Sequence, residues 1–334
     1  MATRNQTIKA TQFNSLQTRI SQLLGNGYDD FGYGQAVSSD LVDPPTGLGE
    51  TDANDITVDH INRLRTDLGK VYKHINGTAI PVGEYTSDDI IGADTSATSV
   101  TATPDPENEG EFDYEYSNED PNKAFNNLVS LVSDAEVNRF LIASGEFELE
   151  TGVIDERVTD WNNQIQSEFT VSFDTEDKRR HFFNSAGEIR FEGTVDLDSS
   201  SGNSLTRDIS WKDMLENVGE IRFGYNFTSL GAGATANGVN FPNGSIGNYA
   251  LDEDYLIIFK KDANSGDYSE NYWQIEARDR SPSQIDFRIS LIDENSENII
   301  EPVTANLQFE YSYRRANQEI VAPVPVFNIF DSFE

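Results

Sequence analysis

From about residue 168 onward, apolar residues recur at every second position. Phe169, Val171 and Phe173 alternate with Thr170 and Ser172. Ile285-Asp286-Phe287-Arg288-Ile289-Ser290-Leu291 and Leu307-Gln308-Phe309-Glu310-Tyr311-Ser312-Tyr313 repeat the pattern. A period of two puts one set of side chains on one strand face and the other set on the opposite face. Such a chain folds as an antiparallel sheet with one dry face, covered by a second layer. Tyr255–Phe259 is a denser apolar run and Tyr272–Ala277 alternates. Asp262–Asp267 between them reads as a hairpin loop. One pattern occurs twice: Gly187-Glu188-Ile189-Arg190-Phe191 returns as Gly219-Glu220-Ile221-Arg222-Phe223. The echo predicts two comparable strands in one sheet system.

Before residue 168 the period is helical. Ile8, Phe13, Leu16, Ile20, Leu23 and Leu24 share one face, with Gly25 and Gly27 as stops. Val58, Ile61, Leu64, Leu68, Val71, Tyr72 and Ile75 form a second stripe. Thr57 is its N-cap and Asn76-Gly77 its end. The opposite face carries Asp59, Asn62, Arg63, Arg65, Asp67 and Lys73. A third helix is expected over 121–136. A fourth is expected over 152–166, holding Val153, Val158, Trp161 and Ile165. The fold class is therefore α+β: a helical, extended N-terminal arm followed by an antiparallel β-sandwich-like domain. The expected divisions are a helical arm at 1–78, an acidic extended linker at 79–120, a helical segment at 121–167, an antiparallel β domain at 168–319 and an apolar docking tail at 320–334.

The balance of 24 Lys plus Arg against 58 Asp plus Glu gives a net charge of -34. Phosphate contacts need clustered cations, so nucleic acid is excluded as a partner, as is anionic lipid. No apolar run is long enough to insert into a bilayer, and the first residues lack the apolar core of a signal peptide. Cysteine is absent, which removes disulfides, thiolate metal sites and thiol nucleophiles. Residues 74–122 contain no Lys or Arg but include Asp94, Asp105, Glu107, Glu109 and Glu111. That composition opposes folding in isolation and implies ordering by a neighbouring chain. Phe112–Tyr116 is the stretch expected to pair with an edge. The Gly- and Pro-rich stretch 26–54 has no period, and a course along another subunit is one explanation.

Candidate chemistry is sparse. His60 and His74 are expected on a helix surface and His181 at a strand edge. The glycine-rich stretch 231–238 lacks the Lys-Ser/Thr of a phosphate loop. Neither Asp252, Glu253 and Asp254 nor Asp262, Asn264 and Asp267 follows the calcium-loop spacing, so turn roles fit them better. Trp161, Trp211 and Trp273 lie in apolar periods that suit core packing. Arg179-Arg180 and Arg314-Arg315 face either acidic partners or the chain's own carboxylates. The expectation is a chain that is not an enzyme, with no catalytic, cofactor-binding or metal-binding residue.

The run Lys178–Phe191, the Trp211 segment followed by Gly219–Phe223, the motif Tyr28–Gly34 and the helix at 57–75 together resemble virion structural proteins of tailed bacteriophages, especially T4-like phages of marine cyanobacteria. The resemblance spans roughly 150–320 and implies a component of the tail, neck, baseplate or fibre attachment. It implies assembly in the host bacterial cytoplasm, residence in the virion, other virion proteins as partners and a homo-oligomer. The expected interface residues are Ile8, Leu16, Ile20, Leu64, Leu68, Tyr72, Val326, Phe327 and Phe330, although packing in the chain's own core is the alternative for them. The competing reading is a carbohydrate-binding adhesin on the same particle. It needs an exposed Trp or Tyr beside Asp and Asn in the loops at 229–249 or 262–272, with Trp273 as the test residue and a host glycan as the ligand.

Overall fold

The computed structural model describes residues 8–26, 31–42, 56–87, 89–91, 96–97, 99–104, 112–117, 119–197, 206–235, 237–263, 268–294 and 302–333. Asp94, Asp105, Glu107, Glu109 and Glu111 lie outside the described residues, as do Tyr28, Asp29, Asp30, Asn264 and Asp267. The chain divides into two compact units: residues 1–146 with 317–321, and residues 147–316 with 322–334.

The first unit is built on α1 (Ala10–Leu24) and α2 (Val58–Asn76). Two short antiparallel pairs follow, β1 (Ile90–Ile91) with β2 (Ser96–Ala97) and β3 (Ser99–Pro104) with β4 (Phe112–Ser117). Helix α3 (Phe125–Val137) comes after them. The three helices bury one another's apolar stripes: Phe13, Leu16 and Ile20, then Ile61, Leu64 and Leu68, then Phe125, Leu128 and Val132. Thr57 caps α2 as expected. Its hydroxyl accepts the His60 N–H at 3.3 Å, and the His60 ring returns the bond to the Thr57 N–H at 3.1 Å. Gly77 ends α2 in the left-handed region at φ 72°.

Several expectations change here. Residues 31–42 do not need another subunit, because they lie along α1 and α2. The Tyr33 N–H reaches Leu23 O, and the Asn14 and Gln17 side chains bond Val42 and Ser39. Asp67 is fully buried rather than on the polar face. Its carboxylate accepts the Ser38 N–H at 2.9 Å, the Ser39 N–H at 2.8 Å and the Ser38 hydroxyl at 2.8 Å. His74 is also buried, against the Tyr33 ring at 5.0 Å, instead of on the helix surface. Strand β4 pairs with the chain's own β3.

The second unit is a sandwich. Its elements in order are β5 (Phe147–Arg157), β6 (Gln164–Ser172), α4 (Glu176–Asn184), β7 (Glu188–Asp196), α5 (Thr206–Glu216), β8 (Ile221–Phe223), β9 (Thr228–Leu230), β10 (Val239–Asn240), β11 (Leu256–Asp262), β12 (Tyr272–Ser281), β13 (Gln284–Ile292), β14 (Asn306–Ala316) and β15 (Val326–Asp331). Six strands form one antiparallel sheet in the order β10-β11-β12-β13-β6-β15. Five form the other in the order β5-β14-β7-β8-β9. The alternating residues meet across the gap. Phe169 stacks on Tyr311 at 4.1 Å, and Phe287 meets Phe191 at 5.1 Å and Phe223 at 5.3 Å.

The repeated pentapeptide explains itself in this unit. Strands β7 and β8 are hydrogen-bonded neighbours, with Ile189 opposite Phe223, Arg190 opposite Arg222 and Phe191 opposite Ile221. Two arginines face to face are unfavourable on their own. Glu220 bridges both, 2.6 Å from Arg190 and 2.5 Å from Arg222. Glu188 holds Arg190 at 2.8 Å and Arg314 at 2.6 Å. Glu220 of the second copy thus neutralises the arginines of both copies, and Glu188 of the first shares Arg190 and adds Arg314.

The expected helical segment at 121–167 is corrected. Only its first part is helical, and residues 147–157 and 164–172 are strands, so the β unit begins at Phe147. Strand β5 pairs along its whole length with β14, and Val153 packs on the core while its neighbours Gly152 and Ile154 are exposed. That partner outweighs the loose helical spacing of four apolar residues. His181 lies buried in helix α4, capped by Thr175, and not at a strand edge.

Removing the Asp67 carboxylate takes the acceptor from the buried Ser39 N–H and from the Ser38 N–H and hydroxyl. Asp67→Ala is expected to destabilise the helical unit by about 2–4 kcal/mol. Urea unfolding followed by helical circular dichroism measures it, and a loss under about 0.5 kcal/mol contradicts the anchoring role.

Candidate docking surface

Among the described residues, strand β5 at one sheet edge has a single hydrogen-bonded neighbour, β14, and strand β15 at the other sheet's edge has a single neighbour, β6. The two come together where Phe327 of β15 meets Gly152 of β5. A Cβ at position 152 would lie 2.5 Å from a carbon of the Phe327 ring, so only glycine leaves the notch. Gly152 is also the extra residue of a bulge, because Val153 faces Tyr311 and Thr151 faces Ser312. Phe327 lies 6.0 Å from both Phe169 and Tyr313 in near-parallel stacks.

The end of the chain is held more firmly still. The Phe333 ring is buried 5.3 Å from Phe309. The Phe333 N–H donates to the Asp155 carboxylate at 3.4 Å, and its carbonyl accepts from the Arg157 guanidinium. Arg157 also bonds Thr159 O at 3.0 Å and Asp160 O at 3.2 Å. The apolar tail expected at 320–334 is therefore the last strand of this chain's own sheet, plus an anchor in its core. Its first residues, Ile320 and Val321, go with the helical unit as part of Asn317–Val321.

The nine expected interface residues separate by place. Leu16, Ile20, Leu64 and Leu68 are buried among the helices, while Ile8 and Tyr72 are half-buried. Phe327 is half-buried in its notch. Val326 is 59% and Phe330 47% exposed. Leu149, Ile154 and Val324, which periodicity did not single out, are also exposed. Phe330 sits at a bulge in β15, between Ile329 opposite Phe169 and Asp331 opposite Glu168. The Arg280 guanidinium lies 5.8 Å from its ring.

Beside β15, the outer face of the six-stranded sheet carries a ladder of ion pairs. The fully buried Asp286 carboxylate accepts from Arg278 at 2.9 Å, Arg280 at 3.3 Å and the Thr170 hydroxyl at 2.7 Å. Arg288 holds Glu276 through two bonds of 2.7 and 2.8 Å. The Tyr255 ring lies 4.5 Å from the Arg278 guanidinium and 4.1 Å from that of Arg288. Burial, with the Glu168 carboxylate beside it, pushes the Tyr255 hydroxyl up to about 12. The basic pairs singled out in the sequence bond the chain's own carboxylates: Arg179 to Asp279, Arg180 to Asp177, Arg314 to Glu188 and Arg315 to Glu148.

The remaining candidates have structural places. Trp273, the test residue of the adhesin reading, is 1% exposed in the sandwich core, and Trp161 and Trp211 are buried against each other. The glycine stretch at 231–234 borders an open cavity of about 360 Å³, together with Glu192, Glu216, Glu220 and Arg222. Three carboxylates there oppose a phosphate ligand. The Asp252 side chain accepts the Asp254 N–H at 3.0 Å, a turn role. Among the described residues, no cluster of three or more His, Asp or Glu side chains is arranged to hold a metal ion. Among them also, no helix is long and apolar enough to cross a membrane.

Comparison with protein-family models, with curated proteins and with solved structures returns no match.

A side chain at position 152 must push Phe327 out of its notch. Gly152→Val is expected to cost about 1–3 kcal/mol of stability in the β unit. In a Phe327→Ala background the same change should cost clearly less, because the clash is gone. Equal costs in the two backgrounds, measured by chemical denaturation, contradict the notch.

Proposed function

We propose that the chain is a non-enzymatic structural protein of a tailed-phage particle, joined to other virion proteins through the flank that β5 and β15 form. The observation that carries this reading is the flank itself. Among the described residues, an eleven-residue edge strand and the edge strand β15 keep one side unpaired, and Leu149, Ile154, Val326 and Phe330 stay exposed along them. Exposed strand edges are ready templates for another chain, and exposed apolar side chains next to them give such a contact its dry centre. The likeness of 178–191 and 211–223 to phage virion proteins supports the choice of particle. Those residues build α4, β7, α5 and β8, the frame behind the flank.

Val326→Asp with Phe330→Asp changes only solvent-facing side chains, so the fold should persist. Copies carrying both changes are expected in purified particles at about one tenth or less of the normal number, the effect of losing about 1.4 kcal/mol of docking free energy. Quantitative mass spectrometry of purified particles reads the copy number. Full occupancy by the folded variant contradicts this docking surface, and absence of the unaltered chain from purified particles contradicts the virion reading.

A further inference from the structure

We infer that the C-terminal strand is exchangeable, so that Val326–Phe333 of one copy takes the β15 place in a second copy of this chain. The inference rests on the assembly reading above and names the partner of that same edge.

Four observations support exchange. The chain is fixed up to Ala322, whose N–H bonds Ala316 O at 3.0 Å and whose carbonyl accepts from Arg315 at 2.9 Å. Only Pro323-Val324-Pro325 then separates Ala322 from β15. The two prolines have no N–H to tie the linker down, and their fixed φ keeps it extended. A short, stiff linker before a terminal strand favours exchange over a tight return.

The receiving groove is made wholly by the body of the β unit: the β6 edge, the Gly152 notch, and Asp155 with Arg157 around Phe333. A second copy's tail meets the same groove and makes the same contacts, so exchange forfeits none of them. Charge selects this segment as well. In a chain of net charge -34, residues 320–330 contain no Asp, Glu, Lys or Arg, and Asp331 is the one charged residue of the exchanged Val326–Phe333. This stretch approaches another copy without the repulsion that the rest of the surface exerts. Finally, Val324 and Val326 remain more than half exposed when the tail lies on its own body. In an exchanged pair the two linkers run past each other, which gives these side chains apolar neighbours.

The absence of cysteine makes a clean test. Val326 and Ser172 are register partners across β15 and β6. Chains carrying only Ser172→Cys and chains carrying only Val326→Cys are refolded together, from dilute to concentrated solution, and oxidised. Exchange predicts a disulfide-linked heterodimer that grows with concentration and exceeds either homodimer several-fold. A double Ser172→Cys, Val326→Cys chain reports the closed form as an internally linked monomer. If the double variant closes internally while the mixture gives no heterodimer above the homodimer level at any concentration, exchange is overturned. If neither species forms, the β15–β6 pairing itself is overturned. Failure of exchange combined with loss of the Val326→Asp, Phe330→Asp chain from particles leaves assembly standing and removes only the second copy as partner.

Discussion

Phe169 is the ring on which the β unit converges. It stacks on Tyr311 of the opposite sheet at 4.1 Å, lies 5.3 Å from Phe287 on its own sheet, and meets Phe191 and Phe327 at 6.1 and 6.0 Å. Those contacts join β14, β13, β7 and β15 to β6. One side chain therefore links both sheets and the returning C-terminal strand. With no disulfide available, packing of this kind supplies what a covalent link would otherwise provide. Phe327 and Phe333 of the tail pack on rings of the same body, Phe169, Tyr313 and Phe309.

What was legible in the sequence was whatever a local period can encode. The strands at 285–291 and 305–313 and the capped helix at 57–75 follow from alternation, helical spacing and the Thr57 and Gly77 signals. The echoed pentapeptide pointed to related strands, and the two turned out to be direct partners with interlocked charges. What was not legible depended on partners far along the chain. Asp67 reads as one more polar residue on a helix, and only the return of Ser38 and Ser39 over it makes it a buried anchor. Val153 and Ile165 fit a weak helical stripe until β14 and β13 arrive beside them. Gly152 carries no signal at all in isolation. Its role exists because a ring 175 positions later occupies the space its missing side chain leaves.

The same distance effect divides the candidate interface. Side chains from α1 and α2 looked available because a short amphipathic helix needs a partner. The chain supplies that partner itself through α3. The C-terminal residues looked available for a similar reason, and here the answer is mixed. Alternation along β15 sends Phe327 and Ile329 inward while Val326 and Asn328 face out. A single segment thus belongs to the core on one face and offers a surface on the other. Truncating it removes both at once, whereas substitutions on the outward face separate surface from core.

The net charge of -34 takes on a more specific meaning once the basic residues are placed. Arg278, Arg280 and Arg288 are engaged with Asp286, Glu276 and Glu168, and Arg190, Arg222 and Arg314 with Glu188 and Glu220. Arg207 and Asp293 form a fully buried pair. These cations neutralise carboxylates within the fold, so the surplus negative charge is left for the remainder of the chain. Like-charged surfaces repel over roughly 8–10 Å at moderate ionic strength. Contacts between copies therefore favour groups indifferent to that field, namely backbone N–H and C=O along a strand edge and apolar side chains. The uncharged stretch from Ile320 to Phe330 and the unpaired edges of β5 and β15 provide both. Salt shortens the range of the repulsion and leaves strand pairing intact, so the charge distribution and the edge geometry act in the same direction.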